Sequence, residues 1–178
     1  MKKKLIVIRG PSGVGKSTIS KLLSTELQKK NKKVCLISID LTLAKMFPNP
    51  REAPKDSREL MQLNTETLID NFLSKGYIVI TEGQFHRTHN KIKSLDRLIK
   101  IGYKHKAKTI VVELTSDINT ILKRIKIRSK KNSKHDNNLE HAKKRYKRFS
   151  KTTHKDSIQI DTRNKIPEKI VEEIIPRI

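Results

Sequence analysis

Five short apolar runs punctuate the chain: Leu5 to Ile8, Val34 to Ile39, Tyr77 to Thr81, Thr109 to Leu114 and Ile158 to Ile160. Their Val, Ile and Leu content is continuous rather than alternating with polar residues. That pattern predicts strands buried on both faces, as in a parallel sheet covered by helices. The stretches between the runs are long enough for crossover helices, so the pattern reads as an α/β fold with three layers, α/β/α.

The helical segments carry their own signals. Ser17 to Lys30 follows the turn after the first strand. Ser57 to Ser74 sets Leu60, Leu63, Thr67, Leu68 and Phe72 roughly along one face, and Gly76 stops it. Thr115 to Arg128 offers Ser116 and Asp117 as N-caps and carries Ile118, Ile121, Leu122 and Ile125. Pro167 to Ile175 closes the chain with proline in a favoured first-turn position. Phe47 to Pro54 holds three prolines and reads as a loop flanking a site. Ser129 to Asn138 is polar. Beyond it Leu139, Ala142, Tyr146 and Phe149 recur near helical spacing, so residues from about 124 to 150 read as a mobile helical lid.

Length and composition narrow this picture. At 178 residues the chain suits one domain spanning 1–178 with a core of its own. The one cysteine cannot form an internal disulfide, and the first apolar run is too short for a signal peptide or membrane span, so a cytoplasmic protein is expected. The 41 Lys and Arg against 18 Asp and Glu give a formal charge of +23. A field of that sign draws in polyanions, although solvated lysine faces would give the same total. The charge is concentrated: Lys123 to Lys151 holds 13 basic and 2 acidic residues, hence +11.

The strongest chemical signal lies between the first strand and the first helix. Gly10-Pro11-Ser12-Gly13-Val14-Gly15-Lys16-Ser17 matches G-x-x-x-x-G-K-[ST], with Thr18 next. Glycines let backbone N–H groups turn inward around phosphate oxygens, and the helix N-terminus adds its positive dipole end. In such a loop Lys16 reaches the β and γ phosphates and Ser17 ligates Mg²⁺, so the expected cofactors are ATP and Mg²⁺. Neither a D-x-x-G turn nor an N-K-x-D motif occurs, which argues against a GTP switch.

Further candidates sit where strands end, because ligands in open α/β sheets bind at the carboxyl ends. Asp40 ends the second strand, where it could accept a substrate hydroxyl's proton or hold a Mg²⁺ water; the alternative is a helix cap. Glu82 ends the third strand and is a candidate for water-mediated Mg²⁺ binding, with Gln84, His86 and Arg87 in a substrate-facing loop. No cysteine or acid stands at zinc-ligand spacing from the histidines. Arg124 and Arg128, four residues apart, could neutralise charge on a transferred phosphoryl group, or else form a solvated basic helix end. Tyr146 and Phe149 could stack nucleic-acid bases, but their spacing also fits an amphipathic helix packed on the domain.

This ordered set, GPSGVGKST, Asp40 in ISID, Glu82-Gly83 in VITEGQF, the LKRIKIR segment and Asp161-Thr162 in IQIDT, resembles the small P-loop kinases of the adenylate-kinase-like group. It is most similar to the branch of polynucleotide 5′-kinases and the kinase domain of L-seryl-tRNA(Sec) kinase, and similar also to zeta-toxin-like and chloramphenicol-phosphotransferase-like kinases. The resemblance implies a five-stranded parallel sheet in the order 2-3-1-4-5. It also implies Asp40 as general base, Arg124 and Arg128 supplied by a lid, and Thr162 beside the nucleotide. Glu82 departs from it, since relatives often carry aspartate there, and no counterpart of the tRNA-binding domain is expected. The leading expectation is a Mg·ATP-dependent kinase acting on a hydroxyl of RNA or another nucleic acid. The alternatives are a kinase of small metabolites and a non-catalytic module that uses ATP to order its lid.

Overall fold

The computed structural model describes residues 3–30, 33–39, 42, 46–47, 53–54, 56–89, 91–131 and 138–178. Asp40 and most of the proline-rich loop lie outside the described residues. Strand β1 (Lys4–Arg9) runs into the glycine-rich loop and helix α1 (Lys16–Lys30). Then follow β2 (Val34–Ser38), α2 (Ser57–Ser74) and β3 (Ile78–Gly83). A short antiparallel hairpin, β4 (Thr88–His89) and β5 (Ile92–Lys93), leads into α3 (Ser94–Lys104). Strand β6 (Lys108–Thr115), α4 (Ile118–Lys131), α5 (Leu139–Ser150), β7 (Ile158–Asp161) and α6 (Pro167–Ile174) complete the order.

The sheet is parallel, in the order β2-β3-β1-β6-β7. With the hairpin strands set aside, this is the expected 2-3-1-4-5. Leu5 to Ile8 of β1 are fully buried because helices cover both faces. Ile6, Ile8, Ile80, Val112 and Leu114 pack with Ile19 and Leu23 of α1 and Ile170 and Ile174 of α6. On the opposite face Leu5, Val7, Val79 and Val111 pack with Ile69 and Leu73 of α2 and Leu95 and Leu98 of α3. Alternate residues of one strand thus feed two cores, which is why the strand sequences are apolar throughout.

Element ends shift by one to three residues from the sequence reading. Strand β6 continues through Thr115, so α4 opens later, at Ile118, where Asp117 Oδ1 accepts the Thr120 N–H at 2.9 Å. Strand β3 runs two residues past its apolar run, to Gly83, and Glu82 stands in the ladder at the strand end where the sequence placed it. Helix α3 is an element the sequence reading does not assign, although Leu95, Leu98, Ile99 and Gly102 fall at helical spacing. A helix forms over Leu139–Ser150 where the apolar spacing places one, with Asn138 Oδ1 accepting from His141 N at 2.9 Å. Its apolar side packs inward: Ala142 and Tyr146 join Ile121 and Ile125 of α4, and the Tyr146 hydroxyl donates to Ser116 O at 3.1 Å. Phe149 is buried under the Arg9 guanidinium, which lies 5.0 Å from its ring centre. Neither aromatic is presented for stacking bases.

Candidate active site

The parallel register brings the carboxyl ends of four strands together around one loop. Arg9, Ser38, Glu82 and Thr115 all stand at or next to a strand end, and Ile8 and Ser38 flank Glu82 in register. Between Arg9 and α1 the chain turns through Gly13 at φ 86° and Gly15 at φ 109°, conformations open to glycine and costly for other residues. Gly13 has a second constraint, since a Cβ there would lie 2.9 Å from Ile125 Cγ1 of α4. Thr18 and Ile19 donate their N–H groups to Gly15 O at 3.1 and 3.0 Å, starting the helix directly on the loop. Val14 is buried, while Ser17 and Thr18 are exposed at the helix N-terminus.

The polar side chains converge on this loop. Lys16 Nζ folds back to donate to Pro11 O at 3.1 Å. Ser17 Oγ donates to Glu82 at 2.9 Å from Oε1 and 3.1 Å from Oε2, and Ser38 Oγ donates to Oε1 at 2.7 Å. Gln84 Nε2 donates to Ser12 Oγ at 3.3 Å, tying the segment after β3 to the loop. A buried carboxylate and a serine hydroxyl in contact form a hard oxygen donor set of the kind Mg²⁺ takes, and inward-turning amides suit phosphate oxygens. The residues present therefore fit Mg·ATP.

The predicted arginines separate. Arg124 is half-buried and donates to Val14 O at 3.3 Å, Thr162 Oγ1 at 2.9 Å and Thr162 O at 2.7 Å. Thr162 is fully buried, and its hydroxyl donates to Thr115 O at 3.1 Å. Arg124 is thus a strut joining α4, the loop and the turn after β7, while Arg128, one turn later, is exposed. A shared helix face does not give the pair a shared environment. Asp40, the predicted base, lies outside the described residues.

Beyond Gln84 the chain enters a second polar region, where His86 and Arg87 of the expected substrate-facing loop lie near an Arg9–Glu113 pair that the motifs did not reveal. Phe85, at φ 49°, packs over Gly83, and His86 follows, half-buried. Burial lowers the pKa of His86 from its ordinary value, and Arg148, Arg87, Arg9 and Arg145 add repulsion in that order. Arg87 itself is exposed. Arg9, 2 % exposed, is 2.9 Å from the equally buried Glu113 of β6 and donates to Thr152 Oγ1 at 3.2 Å. Burial works against its charge, while Glu113 and then Asp96 support it. A charged residue in each apolar strand, Arg9 closing β1 and Glu113 within β6, marks the members of the pair, but only the strand register makes them partners. Ser38 was likewise missed, although it stands two residues before Asp40 at the same strand end.

A family model described as an AAA domain matches residues 5–151, from β1 to just past α5. Solved structures share the fold over nearly the whole chain. The APS kinase CysC of Mycobacterium tuberculosis, solved with AMPPNP and APS, is 14 % identical with a TM-score of 0.65, covering 98 % of this chain and 96 % of its own. A gluconokinase from Sinorhizobium meliloti 1021 is 15 % identical with a TM-score of 0.63, over 97 % and 90 %. The shikimate kinase of Aquifex aeolicus vf5 is 19 % identical with a TM-score of 0.55, over 97 % and 94 %. No helix of the described residues is long and apolar enough to cross a membrane.

Proposed function

Because this chain belongs to the AAA domain family and has the fold of the small P-loop kinases, we propose that it is a Mg·ATP-dependent kinase acting on an alcohol hydroxyl of a small molecule. The observation that carries this reading is the convergence of Ser17 and Ser38 on the Glu82 carboxylate, with Gln84 bridging to Ser12. It joins the triphosphate loop to the strand ends where an acceptor would lie.

Bound Mg·ATP supplies the γ-phosphoryl group and much of the charge neutralisation that transfer needs. The backbone N–H groups of the Gly10–Ser17 loop, Pro11 excepted, and the α1 N-terminus hold the phosphates. Lys16, resting on Pro11 O, is the cation that turns toward them. Ser17 and Glu82 offer oxygen ligands to the metal, Glu82 through water. Asp40, two residues after Ser38, takes the proton of the attacking hydroxyl. Arg128 provides the cation from the lid, and Arg124 holds α4 against the loop so that Arg128 is delivered there.

A small acceptor is favoured because Tyr146 and Phe149 are turned into the protein, leaving the lid without a stacking platform. The nucleic-acid reading retains one observation: Lys143, Lys144, Lys147 and Arg148 are exposed on α5. Labelled ATP incubated with small hydroxyl compounds and with 5′-hydroxyl RNA, tRNA and DNA separates the two. The expected result is a labelled small product, lost in Lys16→Ala. A labelled polymer whose yield falls steeply between about 50 and 200 mM salt would transfer the assignment to nucleic acid. No labelled product, together with unchanged nucleotide binding in Lys16→Ala, would overturn the kinase reading.

A further inference from the structure

Behind the loop, on the side away from α1, lies a cavity of about 70 Å³ lined by Arg9, His86, Lys93, Asp96, Thr152 and His154, with Phe85 and Leu95 as its apolar wall. A water molecule's share of liquid is roughly 30 Å³, so the space suits a group of a few heavy atoms rather than a sugar or purine ring. Five buried side-chain N or O atoms have no hydrogen-bond partner among the described residues: Arg9 Nε, Thr81 Oγ1, His86 Nδ1, Ser116 Oγ and His154 Nδ1. All three nitrogens belong to residues that line this cavity. Arg9 Nε can only donate, and the histidine nitrogens donate when protonated. Buried donors left without acceptors are costly, and most are met by a ligand or water.

The charge around the cavity has one sign in excess. Glu113 and Asp96 balance Arg9 and Lys93, but Arg145 and Arg148 of α5 and Arg87 also act on His86. The cations acting on His86 are thus Arg148, Arg87, Arg9 and Arg145, while Lys93, Asp96 and His154 share its cavity and Glu113 pairs with Arg9 behind it. A group that accepts hydrogen bonds and carries negative charge answers both the orphaned donors and the field.

We propose that this cavity is an anion subsite, and that the phosphoryl acceptor carries, besides its hydroxyl, a small anionic group seated among Arg9, His86, Lys93 and Thr152. A phosphate, sulfate or carboxylate has the required size and chemistry. The assignment of the anion to the acceptor rests on the kinase reading above; the site itself does not. Binding is linked to protonation: a bound anion offsets the repulsion His86 feels, so its titration midpoint rises and affinity grows as pH falls through that midpoint.

The test follows the His86 imidazole by NMR through a pH titration of the full chain, with His86→Gln identifying the signal. The loop is filled with Mg·AMPPNP, which removes its own affinity for phosphate from the reading. Without added anion the midpoint should lie below the ordinary 6.5. Saturating phosphate should raise it by about one pH unit, equivalent to roughly tenfold tighter binding to the protonated form. Lys93→Gln should weaken that binding several-fold. Sulfate acting like phosphate, with acetate inert, identifies a tetrahedral anion; acetate acting as well identifies a carboxylate. A midpoint that none of the three moves, or a shift lost once nucleotide fills the loop, overturns the site. In the transfer assay, phosphate should compete with the acceptor and not with ATP, and labelling confined to uncharged acceptors overturns the acceptor half. If Mg·AMPPNP leaves the Gly10–Ser17 amides unmoved, the kinase reading alone fails, and the same titration in Lys16→Ala still decides the cavity.

Discussion

Glu82 is the residue on which most of the proposed chemistry meets, since it accepts from both Ser17 and Ser38 while only 4 % exposed. A buried carboxylate placed by two hydroxyls is ordered before any metal arrives, which is how supporting contacts raise metal affinity. Glu82→Gln keeps the size and the hydrogen-bonding partners but removes the charge. Its apparent Mg²⁺ affinity in a nucleotide-binding titration should fall by roughly 10- to 100-fold, with metal-free nucleotide binding unchanged. An unaltered Mg²⁺ dependence would remove Glu82 from the metal site. At this scale the sequence was informative wherever a residue type is forced by a local conformation. Gly13 and Gly15 carry the positive φ angles their positions require, and the loop could be read at sight. It was less informative where a role depends on a distant partner. Arg124 is expected as a cation for the phosphoryl group, and three of its five N–H donors are given to Val14 and to Thr162, 38 residues further on. The Arg9–Glu113 pair was invisible to motif reading because its geometry comes from strand register.

Elements were legible where burial is two-sided and continuous, which is why all five sheet strands were found, with ends displaced by one or two residues. Helix α3 went unassigned although Leu95, Leu98 and Gly102 recur at helical spacing, and its Gly102 is a residue that weakens a helix by about 1 kcal/mol relative to alanine. The structure supplies the reason for the glycine. A Cβ at Gly102 would lie 1.9 Å from Thr109 Oγ1, so the helix approaches β6 closer than any side chain permits. Two effects then oppose each other in Gly102→Ala: about 1 kcal/mol gained in helix propensity, and about 1–3 kcal/mol lost to overpacking, with the β-branched Thr109 poorly able to turn away. Overpacking should prevail, lowering the unfolding free energy in a urea titration. Adding Thr109→Ala to the same chain should recover most of the loss, since it removes the atom in the way. If Gly102→Ala alone is stabilising, α3 does not depend on close approach to β6. The recovery also matters for the site, because α3 carries Leu95 and Asp96 to the wall of the anion cavity.

For the molecule as a whole, the charge of +23 governs how stability responds to solution conditions. Among the described residues most ion pairs are exposed, such as Lys29 with Glu26 and Lys143 with Glu140, and pairs of that kind contribute about 0–1 kcal/mol each. They cannot offset the mutual repulsion of so large an excess of cations held on one compact surface, which the unfolded chain relieves by expanding. Salt screens that repulsion, since the screening length falls from about 30 Å at 0.01 M to about 8 Å at 0.15 M. The thermal midpoint should therefore rise as sodium chloride is added across that range, opposite to a protein held together by surface ion pairs. A fall over the same range would show that attractive pairs outweigh the net charge. With Mg·AMPPNP filling the loop in both salts, phosphate at matched ionic strength separates screening from binding in the cavity. Screening treats the two salts alike, whereas an anion that binds the native cavity adds stabilisation that grows with the logarithm of its concentration once the site is filled. The extra rise should shrink in Lys93→Gln, a substitution on the cavity wall that changes the total charge by only one unit and so leaves the chloride response nearly as it was.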